Sequence, residues 1–152
     1  MTGGAGFIGS HLVDRLVDAS HDVIVLDNFS TGRTRNLSHT LRRPNFELVK
    51  ADVRQIPRSF AKKLRRVDRV VHLAALTSVP RSIRDPVPTT EVNVVGTLNV
   101  LETAKALKAE RVVFASSCAV YGTPQAFPIS ETASMSPISP YGASKAASEL
   151  YL

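Results

Sequence analysis

The sequence predicts an α/β protein built on a doubly wound parallel sheet with helices on both faces. Apolar runs typical of buried strands occupy residues 22–27, 46–52, 69–75 and 111–117. Between them lie stretches whose apolar residues recur at helical spacing, as at residues 8–17 and 94–105. No internal repeat interrupts this alternation. Strands that alternate with helices in this way form parallel sheets through crossover connections.

A glycine cluster opens the chain and leads directly into the first helical pattern. It fits both Gly4-x-Gly6-x-x-Gly9 and Gly3-x-x-Gly6-x-x-Gly9. Glycines at these spacings permit a tight turn, let the backbone approach a pyrophosphate and expose the amides of a helix N-terminus. Asp27 ends the next apolar run, 18 positions after Gly9, where a carboxylate can bind the adenosine ribose. These features predict a Rossmann-like dinucleotide-binding fold.

Composition is that of an ordinary globular domain, with 152 residues of which 43% are apolar and 21% charged. The single cysteine, Cys118, excludes an internal disulfide framework and a cysteine-based zinc site. No metal site is expected, since no second ligand accompanies His72. No apolar run approaches the roughly 20 residues of a membrane span, and no signal segment opens the chain. We therefore expect a cytoplasmic protein without a membrane partner.

The net charge of +6 reflects a local excess of basic residues between positions 33 and 69. This excess is consistent with a nucleic-acid surface, or with a solvated helix face plus groups that face an anionic cofactor. Of the aromatic residues only Phe46 and Phe60 interleave the basic run, and no nucleic-acid-binding module is present, so we expect no nucleic-acid partner. Residues 56–64 predict a short basic amphipathic helix.

The strand ends predict the cofactor. A polar stretch, residues 28–33, follows Asp27 at the carboxyl end of its strand, where open α/β sheets bind ligands. The acidic Asp27 repels a 2′-phosphate, so NAD is favoured, while Arg33 and Arg35 leave NADP open. Asp52-Val53, at the end of the next strand, either contacts the adenine ring or caps a helix.

The middle of the chain supplies a wall and a long helix. The strand at residues 69–75 ends in small residues that let a cofactor lie against the backbone, and its His72 is expected in the core. Residues 77–88 predict a loop or a broken helix, and residues 90–107 a long helix. Near the start of that helix, Gly96 indicates close packing against the sheet, and Asn93 is suited to hydrogen-bond a strand or loop.

Tyr141 and Lys145 stand four positions apart on a predicted helix that Pro140 opens, so their side chains share one face. An ammonium group beside a tyrosine stabilises the phenolate, and the pair can serve as a general base near neutral pH. Ser117, at the end of the last strand, can hydrogen-bond the same substrate hydroxyl. The long polar loop at residues 122–140 predicts a functional cover.

This constellation resembles the extended short-chain dehydrogenase/reductase family, and within it the nucleotide-sugar epimerases, the UDP-glucose 4-epimerase group in particular. The matching motifs are residues 2–11, 26–28, 52–53, 72–75, 93–97, 116–117, 120–122, and Tyr141 with Lys145. The resemblance implies a two-domain enzyme that holds NAD and a UDP-sugar. Phe7 and Ile8 would pack under the pyrophosphate turn, and Asn93 would order the neighbouring strand ends.

The expected site has a catalytic part and a cofactor part. The catalytic residues are Ser117, Tyr141 and Lys145. The cofactor-binding residues are Gly3, Gly6, Phe7, Ile8, Gly9, Asp27, Asn28, Ser30, Thr31, Gly32, Asp52, Val53, Leu73, Ala74, Ala75, Asn93, Tyr141 and Lys145.

The resemblance implies transient oxidation at the sugar C4, with Tyr141 taking the 4-hydroxyl proton and Ser117 steadying that hydroxyl. Related 4,6-dehydratases carry an Asp-Glu pair after the serine, where this chain has Cys118-Ala119. That departure favours an epimerase or a simple reductase. Thr77 departs from epimerases that carry a lysine there, which leaves the sugar open.

Two parts of the family's architecture are expected to be missing from these 152 residues. Only Met1 and Thr2 precede the glycine turn, so the central first strand is absent and two strand pairs keep unpaired inner edges. The C-terminal substrate domain is absent as well. The 152 residues then form a partial NAD-binding domain with little or no epimerase activity, or a non-catalytic NAD-binding remnant. A homodimer through helices 90–107 and 141–152 is implied by the resemblance.

Overall fold

The computed structural model describes residues 1–57, 60, 64 and 66–152. Within them the strands are β1 (Val23–Asp27), β2 (Phe46–Lys50), β3 (Arg69–His72) and β4 (Arg111–Phe114). The helices are α1 (Phe7–Asp18), α2 (Val79–Arg84), α3 (Pro86–Thr90), α4 (Gly96–Ala106) and α5 (Pro140–Leu150). The predicted basic helix at residues 56–64 lies largely outside the described residues. No helix in the described part of the chain is long and apolar enough to cross a membrane.

The sheet consists of two parallel pairs, β1 with β2 and β3 with β4. Thr2 lies between the pairs and forms parallel bridges to both Leu26 and His72. Its amide donates to the Val71 carbonyl at 2.9 Å, while the Leu26 amide donates to the Met1 carbonyl at 2.8 Å. The prediction of two separate strand pairs is confirmed. It is corrected at one point, because Thr2 already occupies the central position at the carboxyl end.

Helix α1 covers the β1 side of the sheet. Its buried residues Val13 and Val17 pack with Ala5 and with Val25 of β1 in one apolar cluster. A β-carbon on Gly4 would lie 2.6 Å from the methyl groups of Val25, so only glycine lets the turn approach the strand this closely. This packing places the start of α1 at the carboxyl end of β1.

The predicted long helix begins earlier than Thr90. Ser78 caps α2, the chain breaks at Asp85 with φ −146°, and α3 begins at Pro86. Between α3 and α4 the backbone stays helical but widens into a π-turn at Glu91–Val95. The break at Asp85 confirms the broken helix expected at residues 77–88. A helix tolerates proline in its first turn, so α3 can form although it contains Pro86 and Pro88.

Helix α5 begins where Pro140 predicted. The Ser139 hydroxyl accepts a hydrogen bond from the Gly142 amide at 3.1 Å and caps the helix. Gly96 packs closely against its neighbours, as predicted, because a β-carbon there would lie 2.7 Å from a methyl group of Val53. The contact is with the turn after β2 and not with a strand of the sheet.

Candidate active site

A cleft of about 420 Å³ lies at the carboxyl ends of the strands, where the sequence predicts ligand binding. It draws its lining from both strand pairs, from the glycine turn and from α5. The predicted site residues that line it are Gly3, Gly6, Phe7, Ile8, Gly9, Asp27, Asn28, Ser30, Thr31, Gly32, Val53, Leu73, Ala74, Ala75, Tyr141 and Lys145. Three predicted residues do not line it: Asp52, Asn93 and Ser117.

The glycine turn brings the start of α1 against the sheet. Gly3 has φ +70°, and a β-carbon there would lie 2.6 Å from the Ala74 amide nitrogen. Gly6 caps α1 without a side-chain hydrogen bond. Among the described residues, no acceptor is found for the amides of Phe7, Ile8 and Gly9, the first three of the helix. These free donors and the positive end of the helix dipole make the turn a site for an anion such as a pyrophosphate.

The expected packing of Phe7 and Ile8 under the turn is wrong. The two residues are 79% and 66% exposed, and they line the cleft instead. Both residues lie in the first turn of α1, where side chains project past the helix start rather than into the sheet. Phe7 makes an edge-to-face contact with His11, with ring centroids 5.0 Å apart.

Asp27 ties the end of β1 to the glycine turn. One carboxylate oxygen accepts from the Ala5 amide at 2.9 Å, and the other accepts from the Phe29 amide at 2.8 Å. Each oxygen retains a further lone pair, so the carboxylate can still accept from ribose hydroxyls. Arg33, which kept NADP open, contributes its backbone amide to the Ala5 carbonyl at 3.0 Å.

Asp52 behaves as the capping interpretation predicts. It accepts from the Arg54 amide at 2.9 Å and from the Arg54 guanidinium, which also reaches Glu91. The hydrogen bonds from Arg54 hold the pKa of Asp52 well below its usual range. Asp52 faces a neighbouring groove rather than the cleft, and it reaches the cleft through Asn28, whose amide donates to it at 2.9 Å.

Asn93 supports the wall of the cleft from behind and does not line the cleft. This differs from the expectation that it contacts the cofactor. It is 1% exposed and lies behind the cleft. Its amide nitrogen donates to the Leu76 carbonyl at 3.0 Å, and its side-chain oxygen accepts from the Leu76 amide at 2.8 Å. The resemblance implied this ordering of the strand end. His72 is buried as expected, and burial, with a contribution from Lys145, lowers its pKa to about 4.

Tyr141 and Lys145 both face the cleft from α5. The Lys145 ammonium donates to the Ala115 carbonyl at 2.8 Å and lies 4.4 Å from the centroid of the Phe114 ring. Burial lowers the pKa of Lys145 to about 8, partly opposed by Glu149. The Tyr141 backbone is fixed by a hydrogen bond from its amide to the Ser82 hydroxyl at 3.0 Å. The predicted one-face geometry of this pair is therefore present.

Ser117 lies beside the cleft and caps a short turn. Its hydroxyl accepts from the Ala119 amide at 3.2 Å. Accepting this bond leaves the hydroxyl proton free to be donated. The preceding Ser116 lines the cleft and hydrogen-bonds Glu149.

Seven lining residues were not predicted from the sequence: Leu26, Ala51, Leu76, Thr77, Val92, Ala115 and Ser116. Most of them come directly at or after the ends of the strands. Parallel strands end at the same edge of a sheet, so this position along the chain was a usable signal. Val92 lies in the π-turn, for which the sequence offered no signal.

These residues fit a dinucleotide. The free amides of α1 suit its pyrophosphate, Asp27 suits a ribose diol, and the small residues of the 73–75 wall leave room against the backbone. Lys145, on α5, lines the same cleft. The cleft is thus that of a dinucleotide-binding protein of the Rossmann type.

Comparison with known proteins gives the same result. The family model described as GDP-mannose 4,6 dehydratase matches residues 1–152, the whole chain. The chain therefore belongs to the NAD-dependent epimerase/dehydratase family of the short-chain dehydrogenase/reductase type. The resemblance to this family and the predicted fold class are both confirmed.

Individual relatives include more than one activity. The chain is 45% identical over 153 aligned positions to the UDP-glucose 4-epimerase of Mycolicibacterium smegmatis, covering 100% of this chain and 49% of the relative. The structure of a UDP-N-acetylglucosamine 4-epimerase from Methanobrevibacter ruminantium, in complex with UDP-N-acetylmuramic acid, superposes with a TM-score of 0.91. That chain is 40% identical, and the match covers 99% of this chain and 47% of that one.

A dTDP-glucose 4,6-dehydratase from Streptomyces venezuelae with NAD bound superposes almost as well. Its TM-score is 0.90 at 40% identity, with coverage of 98% of this chain and 48% of that one. The chain thus spans about half the length of the relatives it matches.

Proposed function

We propose that this chain is the NAD-binding part of a nucleotide-sugar 4-epimerase of the UDP-glucose/UDP-galactose type. The observation that carries the proposal is the convergence of the glycine turn, Asp27 and the Tyr141–Lys145 face on one cleft. A UDP-glucose 4-epimerase among the relatives supports it. A C-terminal domain of the whole protein would complete the binding site for the sugar nucleotide. The whole protein would be cytoplasmic and would dimerise through helices 90–107 and 141–152.

The cofactor would lie across the cleft with its adenosine half at β1 and its nicotinamide half near α5. The amides of α1 would bind the pyrophosphate, and the Asp27 carboxylate would accept from the adenosine ribose. Asp27 would also disfavour a 2′-phosphate through charge repulsion, which selects NAD over NADP. When bound, NAD supplies reversible hydride transfer at the sugar C4.

The chain's own residues would move the proton. The deprotonated phenolate oxygen of Tyr141 takes the proton of the sugar 4-hydroxyl and later returns it. Lys145 stabilises the phenolate by its positive charge, and its contact with the Ala115 carbonyl holds it at the cleft. Ser117 donates its free hydroxyl proton to the same sugar oxygen and keeps it oriented.

The residues after Ser117 favour epimerisation over dehydration. A 4,6-dehydratase must move protons at C5 and C6 as well as C4. Cys118 and Ala119 follow Ser117 here, and neither carries a carboxyl group for that transfer. The alternative, a reductase or dehydratase of the same fold, rests on the close superposition of the dTDP-glucose 4,6-dehydratase. A non-catalytic NAD-binding remnant is the second alternative.

Thermal unfolding with and without NAD⁺ tests the cofactor part. A ligand held only by the folded state at a concentration of 100 Kd raises stability by about 2.7 kcal/mol. For a chain of this size that corresponds to an increase in Tm of roughly 5–10 °C. NADP⁺ is the matched control and should give a smaller increase. An unchanged Tm at millimolar NAD⁺ contradicts the proposal.

Turnover assays test the reaction. We expect UDP-galactose to be converted to UDP-glucose by a full-length protein and little or not at all by these 152 residues. Rapid turnover by the 152-residue chain would overturn the proposed need for a second domain. Formation of a 4-keto-6-deoxy sugar by the full-length protein would establish the dehydratase instead.

A further inference from the structure

Behind the cleft lies a cluster of buried polar side chains, which we call the polar spine: Thr2, His72, Asn93, Thr97, Ser144 and Ser148. All six are at most 5% exposed. They come from four separate parts of the chain, namely the glycine turn, β3, the π-turn region with α4, and α5. Buried polar groups are costly unless each finds a partner, and a fully satisfied network fixes the relative position of the elements it joins.

The hydrogen bonds of the spine run in one direction. The Thr97 hydroxyl donates to the Asn93 carbonyl, so it accepts at 3.0 Å from His72 Nε2, which therefore carries the proton. His72 Nδ1 is then an acceptor and receives the Thr2 hydroxyl proton at 2.6 Å. Thr2 in turn accepts from the Ala74 amide at 3.3 Å. The chain of bonds begins at a cleft-lining amide and ends at the π-turn.

Asn93 links the π-turn both to the cleft wall at Leu76 and to helix α5 at Ser144. Its side chain binds the amide and the carbonyl of Leu76, and its amide nitrogen also donates to the Ser144 hydroxyl at 3.0 Å. Ser144 donates to the Tyr141 carbonyl at 2.7 Å. Ser148, one turn further along α5, lies 2.8 Å from the Asn93 carbonyl and 3.4 Å from the Thr97 hydroxyl.

The Thr97 hydroxyl is the junction of this arrangement. It contacts three other members of the spine, through the His72 ring, the Asn93 carbonyl and the Ser148 hydroxyl. A valine would fill the same volume without any of these contacts. The wide π-turn directly before α4 places the Asn93 carbonyl and side chain toward α5 and the wall together.

We propose that Thr97 is a positioning residue whose hydroxyl holds the cleft wall at residues 73–77 in register with the helix that carries Tyr141 and Lys145. The inference rests on the proposed function, because register between these two elements matters only if one ligand must contact both. None of the six spine residues lines the cleft. The spine reaches the cleft through hydrogen bonds to the backbone of the lining residues Ala74, Leu76 and Tyr141.

Two substitutions of Thr97 form a matched pair. Thr97→Val keeps the volume and removes the hydroxyl, whereas Thr97→Ser keeps the hydroxyl and removes a methyl group. NAD⁺ affinity is measured by calorimetry well below the Tm of each variant, so that loss of stability alone leaves the affinity unchanged. We expect Thr97→Val to weaken NAD⁺ binding roughly tenfold, as the loss of a buried hydrogen-bond partner does, and Thr97→Ser to remain within about twofold.

Unchanged affinity in a folded Thr97→Val variant overturns the proposal, as does an equal loss in both variants. If Thr97→Val does not fold, Ser148→Ala replaces it, because it removes one contact of the junction and leaves the Thr97–Asn93 bond in place. A folded Ser148→Ala variant should bind NAD⁺ several-fold more weakly than the wild-type chain. Wild-type affinity in Ser148→Ala would then overturn the role.

A second readout needs no ligand and separates this inference from the proposed function. In ¹⁵N-labelled protein, Thr97→Val should shift the backbone amide signals of Leu76 and Ser144, and Thr97→Ser should leave them near their wild-type positions. If wild-type protein binds no NAD⁺, the proposed function fails, while shifts at both distant amides still support the register. Shifts confined to the neighbours of Thr97 along α4 overturn it.

Discussion

Gly9→Ala tests whether close approach of α1 to the glycine turn stabilises the fold. A β-carbon on Gly9 would lie 2.2 Å from the Gly3 carbonyl oxygen and 2.7 Å from the Gly4 α-carbon. Both contacts are with backbone atoms, which cannot rotate away, so the helix and the turn must separate by about 1 Å to restore ordinary contact. Such overpacking costs up to about 3 kcal/mol, and alanine recovers about 1 kcal/mol through its helix propensity.

The net loss is therefore about 2 kcal/mol, which corresponds to a decrease in Tm of roughly 4–8 °C for a chain of this length. Thermal unfolding followed by circular dichroism measures it. Gly6→Ala is the matched control, since its β-carbon would meet only the Gly3 carbonyl oxygen at 3.3 Å. We expect the Tm of Gly6→Ala to stay within about 2 °C of the wild-type value. Equal Tm values for the two variants would refute the packing argument.

Three further predictions concern charge and capping. The folded-state pKa of His72 is about 4, below its usual value of 6.5, so the unfolded chain binds more protons between these pH values. As the pH is lowered below 6.5, the free energy of unfolding should therefore decrease by up to about 1.4 kcal/mol per pH unit. Urea titrations should show a smaller decrease in the His72→Gln variant. The pKa of Lys145 is lowered from 10.5 to about 8, so the free energy of unfolding should rise as the pH increases between these values. Lys145→Met should abolish that rise and weaken NAD⁺ binding. Thermal unfolding across this pH range, with and without NAD⁺, measures both effects. Ser139→Ala removes the cap of α5 and should destabilise the protein by about 1 kcal/mol in urea unfolding, whereas wild-type stability would show that the cap contributes nothing.

The fold was predictable because strand and helix signals in this chain are strong and local. The glycine spacing, the Asp27 position and the Tyr141–Lys145 spacing each follow from backbone geometry that a short stretch of sequence determines. The prolines between residues 77 and 88 left a loop and a broken helix equally open. The structure shows the broken helix, because Pro86 and Pro88 occupy first-turn positions where prolines are tolerated.

The expectations for Phe7, Asp52 and Asn93 left the directions of their side chains undetermined, because those directions depend on tertiary contacts. Arg54 takes up the Asp52 carboxylate, and the π-turn directs Asn93 to Leu76 rather than to the cleft. Neither Arg54 as a partner nor a π-turn is readable from spacing, because both depend on which elements meet in space.

The division of the sheet also bears on how the protein unfolds. Among the described residues, Thr2 is the only one outside the strands that forms β-bridges to both the β1–β2 pair and the β3–β4 pair. Asp27 and Asn28 line the cleft from one pair, and Leu73 to Ala75 line it from the other. A dinucleotide that spans the cleft would act as a non-covalent crosslink between two cooperative folding units. Native-state hydrogen exchange should then show two separate opening free energies without NAD⁺ and one shared value with it.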